Sequence, residues 1–316
     1  MHIVIPDDYQ DAVRGLDCFS LLAGHDVTIY RNTVQDIDAL AERFADADAL
    51  VLIRERTRIT APLLERLTRL KLISQTGRGV NHIDVDACTR RGVLVCAGVG
   101  SAHATAELTW GLVLPAMRHI PQEVARLKAG GWQHTLGTGL RGRTLGIFGY
   151  GGIGSIVAGY GRAFGMRVLV WGREGSLSRA QAAGYETASS RRALFAESDV
   201  LSLHIKLNAE TRGIVTRDDL AAMKPTALLV NTSRAELIAP GALVEALQAG
   251  HPGSAAVDVY EDEPVSDHPL LHLDNAVCTP HLGYVEKDSY ELYFGAAFEQ
   301  VRAFAAGTPI NAINSA

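Results

Sequence analysis

Short apolar runs separated by helix-like stretches recur along the whole chain. In the first hundred residues they fall at 3–5, 27–30, 49–53, 70–74 and 93–96. Runs of this length, rich in Val, Ile and Leu and bounded by polar turns, read as strands. Between the third and fourth, Thr60-Ala61-Pro62-Leu63-Leu64-Glu65-Arg66-Leu67 reads as a helix capped by Thr60, with Pro62 in its first turn. From 102 to about 130 the period becomes that of one long helix, which Pro115 and Pro121 are expected to kink or divide. A second alternating series then places six strands at 144–148, 167–171, 200–205, 227–231, 254–259 and 276–279, with a last helix at about 288–306. Strand and helix in alternation predict parallel sheets faced by helices. The expected fold class is α/β, with two doubly wound parallel-sheet domains.

Composition narrows the class of protein. A length of 316 residues allows about two domains. Hydrophobic residues at 47% and charged residues at 21% are ordinary globular values, which sets disorder aside. A formal net charge of −5 argues against a dedicated nucleic-acid binder. No run approaches the roughly 18 apolar residues of a membrane span. The start, Met1-His2-Ile3-Val4-Ile5-Pro6-Asp7-Asp8, lacks the basic opening and long apolar region of a signal peptide. Cys18, Cys88, Cys96 and Cys278 form no CxxC pair and are expected to be reduced thiols in a cytoplasmic protein.

The most informative segment is Thr144-Leu145-Gly146-Ile147-Phe148-Gly149-Tyr150-Gly151-Gly152-Ile153-Gly154. A lone GxGxxG is weak evidence, but this one leaves an apolar strand and opens an apolar helix. In that setting Gly149 makes the tight turn, Gly151 lets a pyrophosphate approach, and Gly154 permits close packing of helix on strand. Gly152 and Ile153 lie in the same phosphate turn, whose helix N-terminus offers free N–H groups. The second strand ends at Trp171-Gly172-Arg173-Glu174, with glycine where an acid would meet the adenosine ribose. Arg173 suits a 2′-phosphate and favours NADP; Glu174 keeps NAD open.

Three later segments put polar groups directly after strands: Asn231-Thr232-Ser233-Arg234, Asp258-Val259-Tyr260-Glu261-Asp262-Glu263-Pro264 and Cys278-Thr279-Pro280-His281-Leu282-Gly283. Ligands of open α/β sheets sit outside the carboxyl ends of the strands, so all three face the edge that carries the glycine loop. An Arg, a Glu and a His there form a set for carboxylate binding and proton transfer. His268 and His272 are four apart, a spacing compatible with zinc, but Pro269 follows the first and no third ligand is apparent; no metal is expected.

With GYGGIG at 149–154, NTSRAELI at 231–238, DVYEDEP at 258–264 and TPHLG at 279–283, the chain resembles the D-isomer-specific 2-hydroxyacid dehydrogenase family over nearly its whole length. The resemblance implies a flavodoxin-like substrate domain at 1–100 plus 284–316 and a Rossmann NAD(P)-binding domain at 101–283. It implies that Arg234, Glu263 and His281 are catalytic, with Arg234 and His281 also against the cofactor. Glu263 departs from the Gln of the family's formate dehydrogenases, which disfavours formate. Further cofactor contacts carried over by resemblance are Asp258 at the nicotinamide amide, Thr232 and Ser233 beside it, and His204, Gly283 and Thr105 nearby. Gln75-Thr76-Gly77-Arg78-Gly79 resembles the loop that receives the substrate carboxylate, making Gly77, Arg78 and Gly79 candidates. Arg54 and Arg56 could meet a second anionic group, with Glu55 between them opposing it. The implied substrate is a small anionic 2-keto or 2-hydroxy acid. The implied assembly is a homodimer packed through the helix at 102–130. No regulatory extension of the kind some phosphoglycerate dehydrogenases carry is expected after the last helix. The alternative function is a dinucleotide-sensing, corepressor-like binding protein on the same fold.

Overall fold

The computed structural model describes residues 1–315. The chain divides into two compact units, Met1–Ser101 with the segment from Glu286 onward, and Ala102–Val285.

In the first unit the strands are β1 His2–Ile5, β2 Asp26–Ile29, β3 Ala49–Leu52, β4 Leu72–Gln75 and β5 Leu94–Cys96. They form one parallel sheet in the order β2-β1-β3-β4-β5, which is the flavodoxin-like arrangement. β3 and β4 are buried at every position, as expected for central parallel strands covered on both faces. The helix Lys287–Ala305 completes this unit. Ser74 Oγ lies 2.9 Å from Ala297 O and 2.7 Å from Gln300 Oε1, its one proton shared between the two acceptors, and Gln300 Nε2 donates to Ala97 O at 2.8 Å. Thr60 sits in the N-cap position of helix Ala61–Arg66, but its side chain makes no cap hydrogen bond; Pro62 in the first turn is the stronger start signal.

In the second unit the strands are β6 Thr144–Phe148, β7 Arg167–Trp171, β8 Glu186–Thr187, β9 Val200–Leu203, β10 Leu228–Asn231, β11 Ser254–Val257 and β12 Ala276–Cys278. Their order is β12-β11-β10-β9-β6-β7-β8, all parallel. Counted within the unit this is 7-6-5-4-1-2-3, the Rossmann order with one added strand. The chain reverses direction of travel between β6 and β9, which opens the binding edge at the carboxyl ends of those strands. Six strands were expected here and seven are present. β8 has only two residues, both polar-capable and at the sheet edge, too few to show a period.

The expected long helix is two, His103–Arg118 and Ile120–Lys128. Pro115 is accommodated inside the first. The break falls at His119, whose backbone is left-handed (φ 53°, ψ 34°) and whose N–H caps the carbonyls of Pro115 and Ala116. The first helix buries Ala106, Trp110, Leu112, Val113, Ala116 and Met117 in the core of its own unit. Its apolar face is therefore covered within the unit. The exposed apolar side chains lie further on, in the second helix and the arm after it.

Candidate active site

The glycine loop is shaped by the protein around it. Gly149 has φ +101°, and a Cβ there would stand 2.8 Å from the carbonyl carbon of His204, so only glycine fits. A Cβ on Gly154 would collide with the carbonyl oxygen of Gly149. Gly151 differs: it is the N-cap of helix Gly152–Ala163, and a Cβ there would meet nothing within 4 Å. The space beside Gly151 and the helix N–H groups, which receive no side-chain cap, suit a pyrophosphate. A Cβ on Gly152 would stand 3.6 Å from the methyl of Ala102, and Ile153 packs on the core.

His204 follows β9 beside this turn. Its Nε2 pairs with Ser202 Oγ at 2.9 Å, while its buried Nδ1 has no hydrogen-bond partner among the described residues. Burial pushes its pKa down to about 4, so the ring is neutral at physiological pH. At the end of β7, Arg173 and Glu174 are both exposed, with Arg173 as the N-cap of helix Glu174–Ala182. Arg179 on that helix donates to Tyr150 O at 2.9 Å and so braces the glycine loop.

The loops after β10, β11 and β12 share the same sheet edge. Asn231 closes the first: its Nδ2 donates to Arg234 O at 2.9 Å and its Oδ1 accepts from Ser233 N at 3.0 Å. Ser233 Oγ donates to Leu203 O at 2.7 Å, and Arg234 Nη1 to Ser233 O at 2.8 Å. Glu263 accepts from Tyr260 N at 3.0 Å through Oε1 and pairs with His281 Nδ1 at 2.6 Å through Oε2. Burial pushes the Glu263 carboxyl upward, but the His281 hydrogen bond and charge, the Tyr260 N–H and the Arg234 charge outweigh it, so its pKa is lowered. His281 itself holds a left-handed backbone (φ 52°), and its ring meets Tyr284 edge-on at 5.4 Å. Such a conformation costs a non-glycine residue energy and marks a loop fixed by its surroundings.

Asp258 does much of that fixing. It is fully buried, and Oδ1 accepts from Thr279 Oγ1 at 2.6 Å and Leu282 N at 2.7 Å, while Oδ2 accepts from Gly283 N at 2.8 Å. Its pKa is raised by burial, against the opposing pull of these bonds and of the His281 charge. Thr105 Oγ1 holds the same loop from the helix side by donating to Gly283 O at 2.9 Å.

The first unit carries its own cluster. Arg54 has a left-handed backbone (φ 55°), fixed by Thr76 Oγ1 accepting from Arg54 N at 3.0 Å and by Gln75 Nε2 donating to Arg54 O at 2.9 Å. A Cβ on Gly77 would stand 2.6 Å from Arg54 Nη1, and one on Gly79 would collide with the Glu55 carboxylate. Both glycines thus lie directly under charged side chains. Arg78 is exposed. Arg56 is committed elsewhere: it donates to Asp7 O at 2.6 Å and stacks on Tyr9, 4.3 Å from the ring centroid. His268 and His272 pair with separate carboxylates, Glu261 at 3.2 Å and Asp267 at 2.7 Å.

The family model described as D-isomer specific 2-hydroxyacid dehydrogenase, NAD binding domain, matches residues 110–283, more than half of the chain. The chain belongs to this family. Among its dehydrogenase relatives is the D-3-phosphoglycerate dehydrogenase of Methanocaldococcus jannaschii, 39% identical over 268 residues, covering 84% of this chain and 51% of that protein. This chain thus spans about half the length of the curated phosphoglycerate dehydrogenases it matches. The glyoxylate reductase of Aeropyrum pernix is 38% identical over 289 residues, covering 88% of this chain and 86% of that one. A solved structure described as phosphoglycerate oxidoreductase from Vibrio cholerae o395 is 55% identical, with a TM-score of 0.95, covering 97% of this chain and 99% of that one.

As a member of the 2-hydroxyacid dehydrogenase family, the second unit contains the NAD-binding domain. Its residues fit a dinucleotide on their own evidence, through the open Gly151, the uncapped helix N-terminus and the orphaned Nδ1 of His204. Reading by sequence missed the residues that hold this edge together: Asn231 as turn-former, Thr279, Tyr260, Arg179 and Thr109. Thr279 and Tyr260 lie inside segments already singled out. Thr109 shares a helix face with Thr105, but only the fold brings it to Thr232.

Proposed function

We propose that the protein transfers a hydride between the nicotinamide of NAD or NADP and a small D-2-hydroxy acid or its 2-keto acid. The observation that carries this reading is the 2.6 Å pair of His281 Nδ1 and Glu263 Oε2, held on the sheet edge that also bears Arg234 and the glycine loop. When bound, the nicotinamide supplies or accepts the hydride at the carbon bearing the hydroxyl or keto oxygen. Glu263 holds the Nδ1 side of His281, which leaves Nε2 to exchange the proton with the substrate oxygen. As imidazolium, His281 donates that proton in reduction; as neutral imidazole it removes it in oxidation. The Glu263 charge stabilises the imidazolium. Arg234, permanently charged, grips the substrate carboxylate. On the first unit Gly77, Arg78, Gly79 and Arg54 are proposed to bind an anionic group, and on the second Asp258 and Thr232 to bind the nicotinamide amide. The test is a panel of hydroxypyruvate, glyoxylate, pyruvate and 3-phosphohydroxypyruvate, each with NADH and NADPH. Turnover of any of these acids, to the D-enantiomer where the product is chiral, supports the reading; binding of NAD(P)H with no turnover of any acid overturns it.

For the cofactor, Gly172 and the exposed Arg173 favour NADP, with Glu174 as the group that would serve NAD. Replacing Arg173 by Ala is expected to raise KM for NADPH about tenfold, the worth of one charge-assisted hydrogen bond, with little effect on NADH. An unchanged ratio of the two KM values removes Arg173 from the preference.

The protein is proposed to act as a cytoplasmic homodimer. Four free cysteines support a reducing compartment, and no helix among the described residues is long and apolar enough to cross a membrane. The dimer surface is proposed for Ile120, Val124 and Leu127 with Trp132 and Leu136, which are 75% and 94% exposed. Glu123 holds that arm in place by accepting from Thr135 N at 2.8 Å. Five large apolar side chains exposed between positions 120 and 136 are what an interaction surface offers. Trp132→Asp combined with Leu136→Asp is expected to convert a dimer to a monomer in sedimentation equilibrium. A monomeric wild type at micromolar concentration would sink the proposal.

A further inference from the structure

We infer that Thr109 is a positioning residue whose hydroxyl fixes the turn carrying Arg234 against the loop carrying His281. The inference deepens the dehydrogenase reading and rests on it for its kinetic readout alone.

Thr109 is fully buried on the helix His103–Arg118. Its Oγ1 lies 2.7 Å from Thr105 O and 2.7 Å from Thr232 Oγ1. A carbonyl only accepts, so the single proton of Thr109 goes to Thr105 O. Thr109 must then accept from Thr232, and the direction of both bonds is settled. One turn earlier on the same face, Thr105 Oγ1 donates to Gly283 O at 2.9 Å. The string Thr232, Thr109, Thr105, Gly283 therefore runs from two residues before Arg234 to two residues after His281. A threonine bonding back to the fourth residue before it is common in buried helices and alone would be local satisfaction. The second bond, to a loop 123 positions away, is what gives Thr109 a role beyond its helix.

Each loop is already internally closed, the Arg234 turn by Asn231 and the His281 loop by Asp258. The sheet already joins their bases, Asp258 N donating to Asn231 O at 3.0 Å, and the helix hydroxyls add a second tie further along each loop. Proton transfer and carboxylate binding need His281 and Arg234 at a set separation, and a shift of about 1 Å between such groups can cost about a hundredfold in rate. The helix hydroxyls hold that separation together with Asp258, and do so without touching the reacting atoms.

The test compares Thr109→Val, which keeps the shape and loses the hydroxyl, with Thr109→Ser, which keeps the hydroxyl. Both are made in the full chain. Expected for Val is a fall in kcat of about tenfold to a hundredfold, with the dissociation constant for NADH or NADPH within about threefold of wild type. Serine restores most of kcat. Amide hydrogen exchange at 231–234 and 279–283 is faster in the Val variant and near wild type in the Ser variant. A Val variant that unfolds more easily but keeps wild-type kcat per folded molecule and unchanged exchange in both loops overturns the inference. So does equal loss in Val and Ser. If wild-type protein turns over no 2-keto acid, the dehydrogenase reading fails, and the exchange comparison decides the role of Thr109 by itself.

Discussion

Replacing His281 by Ala is expected to cut turnover by about a hundredfold to ten-thousandfold, the range for loss of a general acid–base group, while the affinity for NAD(P)H survives. The reason lies in the separation of tasks along the sheet edge. The glycine loop is formed by Gly149, Gly151 and Gly154 against His204 and the helix N-terminus, with no contribution from His281. The proton, by contrast, has one imidazole to serve it, held through Nδ1 by Glu263. The check is steady-state turnover beside a fluorescence titration with NADH or NADPH. Retention of most activity would remove His281 as the acid and base.

Glu263 sets the pH dependence of that site. Its pKa lies below that of an ordinary glutamate, because the hydrogen bond and charge of His281, with Tyr260 N–H and Arg234, outweigh its burial. A carboxylate whose folded pKa is depressed contributes stability in full above its unfolded value and loses it as pH falls through the folded one. The pair is therefore intact through neutrality and is dismantled only in acid, below the usual glutamate range. In Glu263→Gln the charge that supports the imidazolium is gone at every pH. Reduction, which needs that imidazolium, is expected to lose kcat about tenfold or more, read in steady-state assays across neutral pH.

Most of the fold was legible because central parallel strands are continuous apolar runs. β6 and β7 were bounded correctly, and the other expected strands were within about two residues of the observed ends. β8 was not legible, since Glu186-Thr187 is a strand only by pairing with β7. His119 was missed as the helix break because the left-handed turn there is a matter of tertiary packing, whereas proline is a local signal. The chemical residues stood out because loops after strands carry polar groups in short motifs. Their supports did not. Asn231 bonds within its own loop, but Thr109 reaches Thr232 across 123 positions, and no local pattern encodes that distance. Arg56 donates to Asp7 O and lies over Tyr9, contacts that its place in the sequence does not encode.

Asp258→Ala is the second change with a large expected effect, on both stability and rate. The carboxylate is fully buried and satisfies three donors at once, Thr279 Oγ1, Leu282 N and Gly283 N. Alanine leaves all three without that acceptor, and an orphaned buried donor costs about 1–3 kcal/mol. Because the three share one loop and relax together, the expected loss is about 3–5 kcal/mol. That corresponds to a fall in Tm of order 10 °C. The same loop carries His281 in its left-handed conformation, so turnover at temperatures where the variant is folded should fall by about a hundredfold. Asn at 258 gives an intermediate case. Its oxygen can keep Thr279 and Leu282, but its NH2 then faces the Gly283 N–H, donor against donor. The loop is not released completely in either variant, since Thr105 still holds Gly283 O from the helix. Calorimetry and steady-state kinetics on wild type, Asn and Ala check the order. If Ala is within about 1 kcal/mol of wild type and keeps its turnover, the His281 loop owes its conformation to something other than Asp258.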